Sequence, residues 1–80
     1  MSYTVHTPQQ LGSVLHGQRK ARKLTQKQVG EAVDLLPKTI SNLENKPKTV
    51  SIESLFKLLS ALELEIVIRS RRQESATSDW

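Results

Sequence analysis

Apolar positions recur at helical spacing in four stretches of the chain, and each stretch opens on a start signal. Thr7-Pro8-Gln9-Gln10 offers an N-cap, a proline at the first helical position and a capping-box glutamine. Leu11, Val14, Leu15 and Ala21 follow at helical spacing and carry a first helix to about Lys23. Thr25-Gln26-Lys27-Gln28 repeats the box, with Leu24 before the cap placed to staple onto Val29. In this short second helix Val29, Ala32 and Val33 face inward, and Asp34 ends it in a left-handed turn conformation. Pro37 marks the start of a third helix, with Leu35 stapling to Ile40 across it. Ile40 and Leu43 form its buried edge, and it stops near Asn45, before Lys46-Pro47. A fourth helix runs from a Ser51 cap, with Val50 and Leu55 as staple and Ile52, Leu55, Phe56, Leu58, Leu59 and Leu62 as its apolar stripe.

The period then changes. From Glu63 to Arg69 the apolar residues alternate at Leu64, Ile66 and Ile68, with Glu65 and Arg69 on the opposite face, which predicts a β-strand. A lone strand in a helical domain leaves backbone groups unpaired on both edges, so it needs a second strand. The same strand from a second subunit is the nearest source. Residues 71–80 hold one aromatic, Trp80, among polar and charged neighbours, and read as a disordered tail. The expected organisation is a helical domain over 1–62, a dimerisation strand over 63–70 and the tail over 71–80.

Length sharpens the expectation of a dimer. Eighty residues make one small domain, in which a monomeric core is marginal unless something reinforces it. Cysteine is absent, and His6 and His16 are the only imidazoles, so no disulfide and no metal site is expected. The longest apolar run is Ile66-Val67-Ile68, too short for a membrane span, and a soluble, cytoplasmic chain is expected. Enzyme signatures fail in turn. Gly12, Gly17 and Gly30 form no phosphate-cradling loop, and there is no G-x-S-x-G or H-E-x-x-H. His16 reads as a helix-surface residue beside Arg19, and no catalytic group and no cofactor is expected.

Charge adds a direction. Twelve basic against eight acidic residues give a net charge of +4, and every acid lies at or beyond Glu31. Arg19, Lys20, Arg22, Lys23 and Lys27 precede it as a local block that suits a phosphate backbone or another anionic partner. A solvated helix face would carry the same charges. The short turn between helices two and three sets the third across the second, with one face free to enter a major groove. The outward residues of that third helix are Pro37, Lys38, Ser41, Asn42 and Asn45.

Leu24-Thr25-Gln26-x-x-Val29-Gly30 followed by Thr39-Ile40-Ser41-x-x-Glu44-Asn45 resembles the lambda-repressor-like (Cro/C1-type, Xre) helix-turn-helix family over roughly residues 11–62. The resemblance implies an all-α domain in which Arg19 and Glu44 pair between helices one and three. It implies base reading by Pro37, Lys38 and Ser41, and backbone contacts from Gln26, Thr39, Asn42 and Asn45, with Lys46 and Lys48 just beyond. Two departures stand out. Leu36-Pro37 replaces the polar pair that usually begins the recognition helix, which shifts reading onto Lys38 and Ser41. Asp34 replaces the usual turn glycine.

A closer resemblance runs the length of the chain. Thr39 to Asn45, then Phe56-Lys57-x-Leu59-x-x-Leu62-Glu63-Leu64, a strand and a terminal Trp80 resemble the HipB-type antitoxins. That resemblance implies a homodimer joined through the strand residues Leu64, Ile66 and Ile68, binding operator double-stranded DNA in the cytoplasm, associated with the nucleoid. It implies a HipA-type serine/threonine kinase toxin as partner, with Trp80 docking on it. Two rivals fit the residues less fully: a free-standing phage- or plasmid-type repressor, and an adaptor whose basic helix binds an acidic protein.

Overall fold

Three of the four helix starts are fixed by side chains, and the computed structural model, which describes residues 2–71, shows how. Helix α1 (Pro8–Ala21) and helix α2 (Gln26–Val33) each begin with a complete capping box. Thr7 Oγ1 accepts from the Gln10 amide at 3.1 Å and Thr25 Oγ1 from the Gln28 amide at 3.0 Å. The glutamines reach back to the cap amides at 3.2 and 2.8 Å. Helix α4 (Ile52–Ala61) starts under Ser51, whose hydroxyl accepts from the Ser54 amide at 3.1 Å. Helix α3 (Pro37–Asn45) has no side-chain cap; its proline at the first position removes one unpaired donor. A 3₁₀ turn, Pro47–Thr49, joins α3 to α4 and was not foreseen in the sequence.

Helices α1, α2 and α4 end alike. Lys23, Asp34 and Glu63 all take the left-handed conformation, at φ of 59°, 62° and 59°. The next amide in each case bonds back five residues: Leu24 to the Arg19 carbonyl at 3.2 Å, Leu35 to Gly30 at 2.8 Å and Leu64 to Leu59 at 2.8 Å. This is the Schellman pattern, and the leucine that follows each turn packs on the core. Only Asp34 was expected in this role.

The core is Leu15, Val29, Ile40, Leu43, Leu58, Leu59 and Leu62, all buried, with Leu11, Leu24, Leu35, Val50, Leu55, Ala61 and Leu64 packed around it. The three predicted staples thus all lie on it. Ala32, expected inward, is exposed. The buried positions of α2 are Val29 and Gly30 with Val33 half-buried, which centres the inner face about 105° away from Ala32 at 100° per residue. Gly30 is inward because its Cα lies against the Leu35 carbonyl, where any Cβ would clash. Ile52 and Phe56 are likewise outside, 72% and 53% exposed. The inner face of α4 centres between Leu58 and Leu59, and these two residues lie on its flank.

No β-strand occurs among the described residues. Glu63 and the Leu64 amide belong to the end of α4, which corrects the strand start expected at Glu63. Residues 65–70 have no regular structure, since a ladder requires a second strand that one chain does not supply. The tail expectation, Trp80 included, lies outside the described residues apart from an exposed Arg71.

Candidate nucleic-acid interface

Helix α3 is held by its inner face. Ile40 and Leu43 sit in the core, and beside them Glu44 is buried with its carboxylate turned toward α1. Arg19 meets it as a bidentate pair, Nε donating to Oε2 at 2.6 Å and Nη2 to Oε1 at 3.1 Å. The guanidinium also donates from Nη1 to the Leu24 carbonyl at 2.8 Å, so one side chain ties α3, α1 and the α1–α2 turn together. Glycine makes the approach possible. A Cβ on Gly12 would fall 2.5 Å from the Glu44 carbonyl oxygen, so α1 and α3 touch backbone to backbone there.

Two further residues reach the same carboxylate. His16 Nδ1 lies 2.8 Å from Oε1 and carries the proton, because an ionised carboxylate only accepts. Gln26 Nε2 donates to Oε1 at 3.3 Å. His16 is therefore part of the anchor rather than a bystander beside Arg19; its sequence signal would have been the spacing that puts it one turn before Arg19 on α1. Burial alone would push the Glu44 carboxyl up. The hydrogen bonds from Arg19, His16 and Gln26, together with the charge of Arg19, outweigh that and hold it below the ordinary glutamate range. The hydrogen bond to Glu44 raises Arg19 in turn.

With the inner face pinned, the outer face of α3 is left to solvent. Pro37, Lys38 and Asn45 are exposed, and Ser41 and Asn42 are half-buried, all within about 70° of one direction around the helix. Asn45 donates from Nδ2 to the Ser41 carbonyl at 3.0 Å and lies 3.3 Å from its hydroxyl, so its position is set inside the helix. Thr39 is half-buried and sits on the flank, about 130° from the centre of that face. Lys46 and Lys48 are exposed in the turn just after the helix. Gln26, at the start of α2, is half-buried, and its bond to Glu44 places it along the Pro37 edge of α3. Leu36, the residue before the helix, is 71% exposed. The residues named for the strand separate: Leu64 packs on the core, while Ile66 and Ile68 are 46% and 92% exposed. Among the described residues no group of His, Asp or Glu could hold a metal ion, and no helix is long and apolar enough to cross a membrane.

Helix α2, a three-residue turn and a crossing α3 with an anchored inner face and a polar outer face define a helix-turn-helix protein. The helix-turn-helix family matches residues 15–69. Two curated relatives are antitoxin HipB of Escherichia coli strain CFT073, 30% identical over 89% of this chain and 76% of its own, and antitoxin HipB of strain K12, 28% identical over 92% and 84%. Solved structures described as a HipB-O4 20mer complex and a HipA-HipB-O2-O3 complex superpose with TM-scores of 0.84 and 0.85 at 27% identity, over 89% of this chain and 100% of theirs. The chain belongs to the HipB antitoxin family within the helix-turn-helix proteins.

Proposed function

We propose that this protein is a DNA-binding repressor and the antitoxin of a HipA-type kinase toxin–antitoxin operon, acting on operator DNA as a homodimer. The observation that carries this is the division of α3 described above. A buried Arg19–Glu44 pair fixes the helix from within, and Pro37, Lys38, Ser41, Asn42 and Asn45 share its outer face. A recognition helix inserts such a face into the major groove, with its first residues nearest the base edges. Pro37, Lys38 and Ser41 are the base-reading residues in this reading. Gln26, Thr39, Asn42, Asn45, Lys46 and Lys48 position the protein on the backbone. The family supports both partners, since a relative appears in a complex of HipA with HipB. It also makes the protein a regulator and not an enzyme.

The dimer forms through the run after Leu64, with Ile66 and Ile68 meeting their counterparts across a two-stranded sheet. The exposure of Val67 and Ile68 at 70% and 92% supports this, because a short chain gains by covering such a run. Two recognition helices then stand roughly 34–36 Å apart and read half-sites one turn apart.

Binding to operator and random duplexes tests the assignment. Lys38→Ala should lose about 1–3 kcal/mol of specific affinity, whereas Lys46→Ala should weaken all sequences alike. Equal losses on both duplexes for Lys38→Ala would remove Lys38 from the base-reading set.

A further inference from the structure

Helices α1, α2 and α4 each open on a hydroxyl that caps them, and α3 opens on Leu36. The backbone does not require the exception. Leu36 stands at φ −73°, ψ 149° and Ser51 at φ −71°, ψ 155°, so the same cap geometry is built at both positions. Serine, threonine, aspartate or asparagine at position 36 would satisfy an amide of the first turn, whereas leucine supplies no side-chain cap and weakens the helix start. The leucine gains nothing from the core in exchange. Leu35 beside it packs inward, while Leu36 is 71% exposed. An exposed leucine alone is ordinary, but a local rule broken with no return in the fold marks a position shaped by what the surface binds.

Its setting is rigid. The Leu36 carbonyl accepts from the Thr39 and Ile40 amides at 2.9 and 3.2 Å, and the proline that follows restricts Leu36 to extended backbone. Pro37 is exposed as well, so the two residues form an apolar tip at the end of α3 that leads into the groove. We infer that Leu36 is a specificity-determining residue, which recognises a thymine through its C5-methyl group. The chemistry of the tip narrows the choice. Neither side chain carries a donor or an acceptor, so the hydrogen-bonding groups on base edges give it no means of discrimination. The apolar group that base pairs present in the major groove is the thymine methyl. Leucine reaches further from the backbone than the proline ring, which is tied back to its own nitrogen, and the methyl therefore falls to Leu36. Because the backbone is already fixed, little freedom is lost on contact, and a single covered methyl registers in the affinity. The inference rests on the DNA-binding reading above and adds to its base-reading set a residue just ahead of the helix.

Deoxyuridine supplies the test, since it differs from thymidine in that methyl alone. A duplex is selected from random-sequence DNA by the unmutated protein, and each thymine is then replaced in turn, in both half-sites together. At one position the replacement should weaken binding by about fourfold per half-site, the equivalent of one buried methyl. Leu36→Ser should bind the thymine and uracil duplexes alike and still prefer both to a scrambled duplex. It should also melt at a higher temperature, because its hydroxyl now caps α3, and opposite movement of stability and discrimination rules out misfolding. Leu36→Ala should lose most of the discrimination too, and it carries the test if the serine variant folds poorly. An unmutated protein indifferent to every methyl overturns the inference, and so does a Leu36→Ala protein that discriminates as its parent does. Variants that keep the discrimination but lose the kinase assign Leu36 to a protein contact, and overturn it as well. If the unmutated protein yields no preferred duplex, the DNA-binding reading itself falls, and the inference with it.

Discussion

Glu44 is the residue on which most depends. Its carboxylate is buried, yet Arg19, His16 and Gln26 all converge on it, so its charge is compensated. Removing one partner of such a pair leaves the other buried without compensation, which costs about 3 kcal/mol or more. Glu44→Gln should accordingly lower the melting temperature by roughly 12–24 °C in a domain of this size. The double variant Arg19→Met, Glu44→Leu should recover most of that loss, because an apolar pair of similar volume carries no stranded charge. The same carboxylate gives the fold a pH dependence of known sign. A group whose folded pKa lies below its unfolded one contributes stability above the ordinary glutamate value, about 4.3, and loses it as pH falls through the folded value. Denaturation midpoints followed downward from pH 5 should drop in the unmutated protein and drop less in the double variant.

At the scale of helices, the starts were legible in the sequence, as were the ends of α2 at Asp34 and α3 at Asn45, while the left-handed ends of α1 and α4 were not. Thr7, Thr25 and Ser51 announce themselves because the capping interaction is made by the side chain that names the residue. The left-handed turns at Lys23 and Glu63 send no such signal. Their residue types are ordinary in a helix, and what stabilises the turn is the following leucine reaching the core. The apolar stripe of α4 also read as wider than the inner face, since spacing alone does not say where a core stops and leaves Ile52 and Phe56 outside. In the site, the pairing of Arg19 with Glu44 was legible only through family resemblance, and His16 was missed because its spacing from Arg19 marks a contact only once Glu44 is known to lie there, twenty-eight residues away. Packing between helices makes a sharper prediction from α1. Gly17→Ala, with nothing within 4 Å of the new Cβ, should stabilise the protein by about 0.8–1 kcal/mol. Gly12→Ala should destabilise it by about 1–3 kcal/mol, because the Cβ meets the α3 backbone at Glu44. Urea titrations of the pair should move in opposite directions from the parent.

For the whole molecule, the question is what a second copy and a second protein add. Ile66 is half-exposed in the single chain, so Ile66→Lys should leave each protomer folded and abolish the dimer. Sedimentation showing an intact dimer of that variant would exclude pairing through residues 65–70. Deletion of residues 73–80 should leave dimerisation and operator binding as they are and weaken association with the kinase by about 1–3 kcal/mol, since a tryptophan seated in a pocket is a common anchor. Calorimetry against the purified kinase reads this directly.

The two-sided construction of α3 has a consequence for how such proteins diversify. Ile40, Leu43 and Glu44 hold the helix in place, and none of them lies on the outer face. Pro37, Lys38 and Ser41 occupy that face, and none of them belongs to the buried core. On the base reading proposed above for Pro37, Lys38 and Ser41, folding and target choice are written on separate letters of one nine-residue word. A duplicated gene could drift to a new operator by changing the second set alone, and remain insulated from its sister without ever passing through an unfolded ancestor.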